Sequence, residues 1–574
     1  MRPTWKAVLS IILFFPAIAA AAPPTYVQSV PLTQLFPANI VGDVKPGPRK
    51  VYVITWGGDI ATTLANGNAK TTQKGSFFDR EGLNITLLRE DDFTKQVRAY
   101  LAGETPYLRG TMGMINMAVE VASRDPRTEP ICGYQHTWST GGDAMVVRGD
   151  AIKSPKDLKG KTIALQAYGP HVDYLFRILA DAGIKPNEVT LKWTKDLTDS
   201  KQDPATALRE DKSVHAVMVI TPDAMDLTSQ GTVGTGAEKS AKGAKIMLTT
   251  KTASRIIADV YCVRRDFLEA NRNEVQKFVH GLLAAEESLA TLFRQKAQQT
   301  GAYGAMLKGA AAILLDKPDT AAIEGMYGDC EYVGYKGNVA FYGNPSNPRS
   351  FEKLTEEIQS AFVPLGLMVK KVPLQHARWD YKVLAAGLVN VAGVEAPKFQ
   401  PERAADVVTR RLQTKTGEGE LFAFEVAFAP QESVFSPTKY QESFAQVVQL
   451  ASRYGGALVT IEGNTDPNEY LIKKRDSAPE VVLTRIQQAA KNLSMRRALA
   501  VKDGLIQYAK SKGITLDDTQ LVAVGHGFTR SKTGMCGNDP CASKTEDEWR
   551  RNMRVEFKMI NVEAESSVFT PVGK

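Results

Sequence analysis

GDAMVVRGDAIKSPKDLKGKTIALQAYGPHVDYLFRILADAG, residues 142–183, decides how the chain is read. TIALQAYG is an apolar run that stops at Gly169 and reads as a strand. HVDYLFRILADAG sets apolar residues at helical spacing and ends at Gly183, a natural C-cap position. A strand that ends in a glycine turn and feeds a helix is the unit of an α/β sheet. The pattern repeats outward. KVYVITWGG, LNITLLRE, VTLKWTK and HAVMVITPD read as further strands ending in Gly, Pro or Asp, with DFTKQVRAYLAG and residues 273–293 as amphipathic helices between and after them. Residues 50–400 therefore predict parallel sheets covered by helices, with residues 231–245 a surface loop by composition.

Bulk properties narrow the function classes. A chain of 574 residues with 43% hydrophobic and 23% charged residues is globular and long enough for several domains. The net charge of +8 comes from 71 basic and 63 acidic residues, a mixed surface with no arginine-rich arm, which argues against a nucleic-acid partner. Residues 1–22 read as a signal peptide. Arg2 and Lys6 precede a short apolar run and the small residues AIAAAAP, with cleavage after Ala21 preferred to cleavage before Pro23. No later stretch is apolar enough to span a membrane, so an exported protein without a span is expected once the signal is removed. In an oxidising compartment Cys536 and Cys541, in the loop MCGNDPCASK, predict a local disulfide rather than half a zinc site. Cys132 and Cys262 lie in strand-like runs that allow a second bridge, which leaves Cys330 over.

A polar segment, residues 398–419, predicts a linker. Beyond it FAFEVAFAP, ALVTIEG, LVAVGHG and MRVEFKMI read as strands, and residues 440–456 and 494–513 as helices, in the order β-α-β-α-β-β over 420–562, with a tail at 563–574. Asp466 emerges just past a strand end. Ser494 reads as an N-cap, which would put Arg497 in the first helical turn beside free backbone N–H groups. An acid and a base facing one ligand suit a zwitterionic amino-acid group.

The motifs IEGNTD, LSMRRA, LVAVGHG and NMRVEFKMI together resemble the OmpA-like peptidoglycan-binding domain. The resemblance implies a small α/β sandwich in which Asp466 and Arg497 hold the diaminopimelate of a peptide stem, with Asn464, Thr465, Asn552 and Arg554 shaping the same site. Asn464 stands where the family has histidine, Met553 replaces a basic residue, and the stretch 467–493 is longer than the family's spacing. A turn cap at Asp466 and a surface ion pair at Arg497 are the competing reading.

The N-terminal runs resemble ABC-transporter solute-binding proteins, the group for aliphatic sulfonates and thiamine precursors. KVYVITWGGDIATTLANG, GDAMVVRGDAIKSPKDLKGKTIALQAYGPHVDYLF and DVYCVRRDFLEAN carry that resemblance. It implies a two-lobed periplasmic-binding-protein fold over residues 23–397, closing on a small molecule and serving, if any, an ABC transporter permease. Strand C-termini face the ligand in such sheets, which nominates Trp56, Asp59, Thr111, Thr140, Asp143, Tyr168, His171, Thr221 and Asp223, each with a competing role in the core, a turn or a helix start. No HExxH, GxSxG or metal-ligand spacing occurs, so neither a catalytic residue nor a metal or cofactor is expected. The resulting expectation is a peptidoglycan-associated periplasmic binding protein. The alternative is a wall-anchored structural or sensory protein whose lobes dock a protein partner.

Overall fold

Ten consecutive buried residues, Pro130–Ser139, form a strand at the centre of the N-terminal half. A computed structural model describes residues 24–392, 398–414, 419–427 and 440–569. The expected signal peptide lies outside the described residues. Pro130–Ser139 pairs antiparallel with Ala258–Arg264, which pairs antiparallel with Tyr107–Thr111; Cys330–Tyr332 and Gln375–His376 add to the same sheet. Arg49–Val53 and Ile85–Arg89 form a separate parallel pair. This is the first lobe. The second has a five-stranded sheet in the order Thr190–Thr194, Thr162–Gln166, Ala216–Ile220, Asp143–Arg148, Ala244–Thr249.

After an N-terminal stretch that bridges Trp193 of the second lobe through Val27, the chain enters the first lobe and then crosses between lobes twice more. It leaves after Ser139 to begin Asp143–Arg148, and returns between Thr249 and Ala258. The all-parallel expectation is corrected here: the outgoing strand Pro130–Ser139 and the returning strand Ala258–Arg264 run in opposite senses because one exits the lobe that the other re-enters. Both are buried on both faces, which is why their sequences lack an alternating pattern. Cys132 and Cys262 are cross-strand partners and form a disulfide; Cys536–Cys541 is the second, and Cys330 is free and buried. Among the described residues no helix is long and apolar enough to cross a membrane.

The C-terminal unit is a mixed sheet in the order Glu420–Ala427, Arg554–Asn561, Ala457–Gly463, Leu521–Gly525, with only the last pair parallel. On Ala457–Gly463 the period of two is visible. Val459 and Ile461 join a core with Phe444, Val447, Val501 and Leu505 of the helices Gln441–Arg453 and Glu480–Ser511. Leu458 faces the other way, against Ala404, Val407 and Val408. These belong to Pro401–Thr414, so the stretch expected as a linker contains a helix packed on the sheet. Its amphipathic stripe is short and its flanks polar, which hid it. The expected tail contributes Val568 to the same cluster.

This unit sits on the returning crossover. Gly456 N donates to Thr252 O at 3.1 Å and Arg255 N to Arg453 O at 3.1 Å. Thr252 N donates to Glu563 Oε1 at 3.1 Å. Arg453 bridges Asp181 of the second lobe at 3.0 Å and Glu357 of the first at 2.8 Å.

Candidate functional site

At the C-terminal strand end the structure brings most of the nominated residues together. Asp466 is half-buried; its Oδ1 accepts from Asn468 N at 2.9 Å, and its Oδ2 from Asn552 Nδ2 at 2.9 Å and from the Ser543 hydroxyl. Asn552 closes the helix Glu546–Asn552, and its Oδ1 accepts from Lys532 N at 2.7 Å. Asn464 N donates to Arg554 O at 2.9 Å, and Thr465 N to Gly527 O at 2.8 Å. The buried Asn464 Oδ1 and Thr465 Oγ1 have no partner among the described residues. The Arg554 guanidinium turns along the sheet to Glu556 at 2.6 Å, and that positive neighbour draws the Glu556 carboxyl down to about 2 against the pull of burial. Ser543 was missed; it lies two residues past Cys541, and the disulfide loop carries it to Asp466.

Arg497 is corrected. Ser494 is not an N-cap, because the helix begins at Glu480 after Pro479 and runs unbroken to Ser511. Ser494 Oγ donates to Lys491 O at 2.8 Å, the back-bond of a mid-helix serine, and accepts from Gly527 N at 2.8 Å. Arg497 is thus mid-helix and 4% exposed, and burial lowers its pKa. The helix still crosses the right place: a Cβ on Gly463, at the end of the strand before Asp466, would lie 2.0 Å from Ser494 O. The long segment 467–493 supplies the helix Asn468–Arg475 and the first turns of Glu480–Ser511, with Tyr470 and Leu483 packed on Phe528.

Near the crossovers the nominated cleft residues contact other protein groups, and Asp143 and His171 contact each other. Asp59 is fully buried, its Oδ2 2.9 Å from Arg109 Nε, while Asp259 takes the other side of Arg109 at 2.5 Å. Burial pushes the Asp59 carboxyl up to about 6, with Arg109 pulling the other way. Trp56 Nε1 donates to Thr137 Oγ1 at 3.1 Å, and its indole covers Gly142, where a Cβ would lie 2.3 Å from the ring. Asp143 holds His171 Nε2 at 2.8 Å and Ser139 Oγ at 2.5 Å. Thr111 caps the helix Met112–Ala122 by accepting from Met114 N at 3.2 Å. Tyr168, at φ +60°, donates its hydroxyl to Val30 O at 2.8 Å, away from the other nominees. Thr221 donates to Gly141 O, Thr140 N to Asp329 O at 2.9 Å, and Asp223 is half-buried on the helix Thr221–Leu227, its carboxyl pushed up to about 6 by burial. Asp59, Thr111, Asp143 and His171 thus have protein partners, and Trp56 of the first lobe lies against Gly142 of the outgoing crossover. Arg109, Asp259 and Asp173 were missed. A charged residue inside the apolar strands YLRGT and ADVYCVR was the available signal for the first two. Among the described residues no cluster of His, Cys, Asp and Glu could hold a metal ion.

Residues 70–291 match the family described as NMT1/THI5 like. No curated protein matches. Among solved structures, the alkanesulfonate-binding protein SsuA from Xanthomonas axonopodis pv. citri, bound to MOPS, is 15% identical, with 58% of this chain and 97% of that chain covered and a TM-score of 0.38. The periplasmic aliphatic sulphonate binding protein SsuA from Escherichia coli is 15% identical, covering 61% and 99%, with a TM-score of 0.38. The desulfurization enzyme DSZB is 16% identical, covering 58% and 98%, with a TM-score of 0.34. The N-terminal lobes thus carry an NMT1/THI5-like region within a mixed α/β protein.

Proposed function

We propose that the chain is a periplasmic, peptidoglycan-associated solute-binding protein: its lobes close on a small molecule and its C-terminal domain holds the diaminopimelate of peptidoglycan noncovalently. The observation that carries the second half is the half-buried Asp466 carboxylate set among Ser543 and Asn552, beside buried Asn464 and Thr465 oxygens that lack partners among the described residues. A carboxylate in that setting takes an ammonium, and Arg497 adds positive charge from the helix that crosses the same strand end. The NMT1/THI5-like match and the double crossover support the first half. An ABC transporter permease is the partner this reading invites, and it calls for binding rather than turnover.

Isolated sacculi should pull down the full chain, and Asp466→Asn should reduce the bound fraction at least ten-fold. Equal pull-down of both proteins rejects the wall-binding site.

One observation favours a second reading of the lobes, as a docking body for a protein partner. The Trp56 indole of the first lobe lies against Gly142 at the outgoing crossover, where a Cβ would be 2.3 Å from the ring. Thermal-shift screening of the full chain against sulfonates, phosphates, amino acids and pyrimidines separates the two. A ligand that raises the midpoint supports closure on a solute; silence across the panel supports docking.

A further inference from the structure

Three parts of the molecule meet at one arginine. Arg453 closes the helix Gln441–Arg453 of the C-terminal domain and is buried. Its guanidinium reaches Asp181 of the second lobe at 3.0 Å and Glu357 of the first at 2.8 Å. The next residue adds to the second-lobe tie: the Tyr454 hydroxyl donates to Asp181 Oδ2 at 3.1 Å. One planar fork of the C-terminal domain thus fixes the separation of two acids that belong to different lobes.

The same domain holds the segment that a lobe movement has to bend. Thr252 lies on the returning crossover, between the strands Ala244–Thr249 and Ala258–Arg264. Its carbonyl accepts from Gly456 N at 3.1 Å, its N–H donates to Glu563 Oε1 at 3.1 Å, and its hydroxyl donates to Asn561 Oδ1 at 3.2 Å. Arg255 N donates to Arg453 O at 3.1 Å, and Arg255 O accepts from Arg349 Nε of the first lobe at 2.7 Å. Lobes turn against each other by changing φ and ψ at a few residues of the connecting segments. On this crossover the N–H, the carbonyl and the hydroxyl of Thr252 are all taken by the C-terminal domain.

We propose that the C-terminal domain is a brace that sets the angle between the lobes, so that opening of the lobes requires this domain to let go. A turn of one lobe changes the Asp181–Glu357 separation and moves Thr252, and both changes break contacts made by the docked domain. Arg177 also ties the lobes, from Asp181 at 2.7 Å to Glu357 at 3.4 Å, but its cross-lobe contact is longer than either arm of Arg453 and weaker for it. By linkage, whatever displaces the domain favours opening, and whatever favours open lobes loosens the domain. The brace regulates the solute cleft of the reading above; it rests on the two lobes of that reading and not on the wall site.

Double electron–electron resonance on the full chain tests it, with nitroxides on Lys201→Cys in the second lobe and Lys308→Cys in the first. Both positions are exposed, and the free Cys330 is buried. The braced chain should give one distance, with any second population below about 10%, and Arg453→Met and Glu563→Leu should each raise that population at least about three-fold. Arg453→Met leaves Asp181 with Arg177 at 2.7 Å and Glu357 with Arg349 at 3.1 Å, so neither acid is stranded. Arg410→Met removes an exposed pair with Glu565 inside the domain and should keep the wild-type distribution. If one of the two brace variants does not fold, the other decides. An unchanged distribution in a folded Arg453→Met or Glu563→Leu, a wild-type chain already spread over two distances, or equal broadening in Arg410→Met overturns the brace. Sacculus pull-down of the same proteins keeps the two readings apart: broadening without retention on sacculi rejects the wall site and supports the brace.

Discussion

Gly456→Ala tests whether the C-terminal domain is seated on the returning crossover. A Cβ at position 456 would lie 1.8 Å from Lys251 O and 3.0 Å from Thr252 Cα. Real Cβ contacts stay beyond 3.0 Å, so one backbone must retreat by more than an ångström. A retreat of that size stretches the 3.1 Å bond from Gly456 N to Thr252 O beyond hydrogen-bonding range. It also strains the neighbouring 3.1 Å bond from Arg255 N to Arg453 O. Two donors deprived of acceptors cost about 1–3 kcal/mol each, and water at this interface puts the sum near the lower end, about 2–3 kcal/mol. Gly456 does not use left-handed backbone, so the effect is steric alone. Gly455→Ala is the control: its Cβ would meet the Ser254 hydroxyl at 3.0 Å and the Lys398 ammonium at 3.5 Å, both movable side-chain ends. Denaturant unfolding followed by a probe on each domain should show Gly456→Ala separating the two transitions and exposing the crossover to protease, with Gly455→Ala close to wild type. If Gly456→Ala unfolds within about 0.5 kcal/mol of wild type, the reasoning fails, because the domains are then not in this contact.

Two further outcomes follow from buried charges. Burial raises Asp173 and Glu286 to about 8, far above their unfolded values near 3.8 and 4.5. In that interval the folded chain binds more protons than the unfolded chain, so each group makes stability fall as pH rises from about 5 to 8, at up to about 1.4 kcal/mol per pH unit. Urea midpoints at each pH should fall across that window, and Asp173→Asn or Glu286→Gln should flatten the slope; an unchanged slope in both variants contradicts the assignment. At the first lobe's centre one guanidinium, Arg109, serves two buried acids, Asp59 and Asp259. Arg109→Met leaves both uncompensated and should cost about 3–5 kcal/mol, whereas Asp59→Asn leaves a one-to-one pair and should cost less than half of that, as read from chemical denaturation.

The lobes were legible where a strand ended in a visible stop. TIALQAYG and HAVMVITPD became Thr162–Gln166 and Ala216–Ile220, and Gly183 adopts φ +74° just past the helix it closes. The antiparallel centre was not, because strand direction is set by which distant residue pairs with which. Cys132 opposite Cys262 is a pairing across 130 residues that no local pattern records. In the C-terminal unit the turn and the final strand were readable, and Asp466 and Asn552 are hydrogen-bonded while the Arg554 guanidinium goes to Glu556. The start of the long helix was not. Ser494 has the composition of a cap, yet no glycine or proline interrupts 480–503, and a serine with nothing upstream to break a helix bonds back to it instead.

The cleft shows a different limit. The rule that strand C-termini face a binding crevice nominates Asp59, Thr111, Asp143 and His171. It says nothing of whether those groups are satisfied by solute or by each other. Their partners are residues from elsewhere in the chain: Arg109 and Asp259 to Asp59, and His171 to Asp143 within the second lobe. Each pairing removes a group that a solute would otherwise have to satisfy. A solute entering beside Trp56 must therefore separate its indole from Gly142.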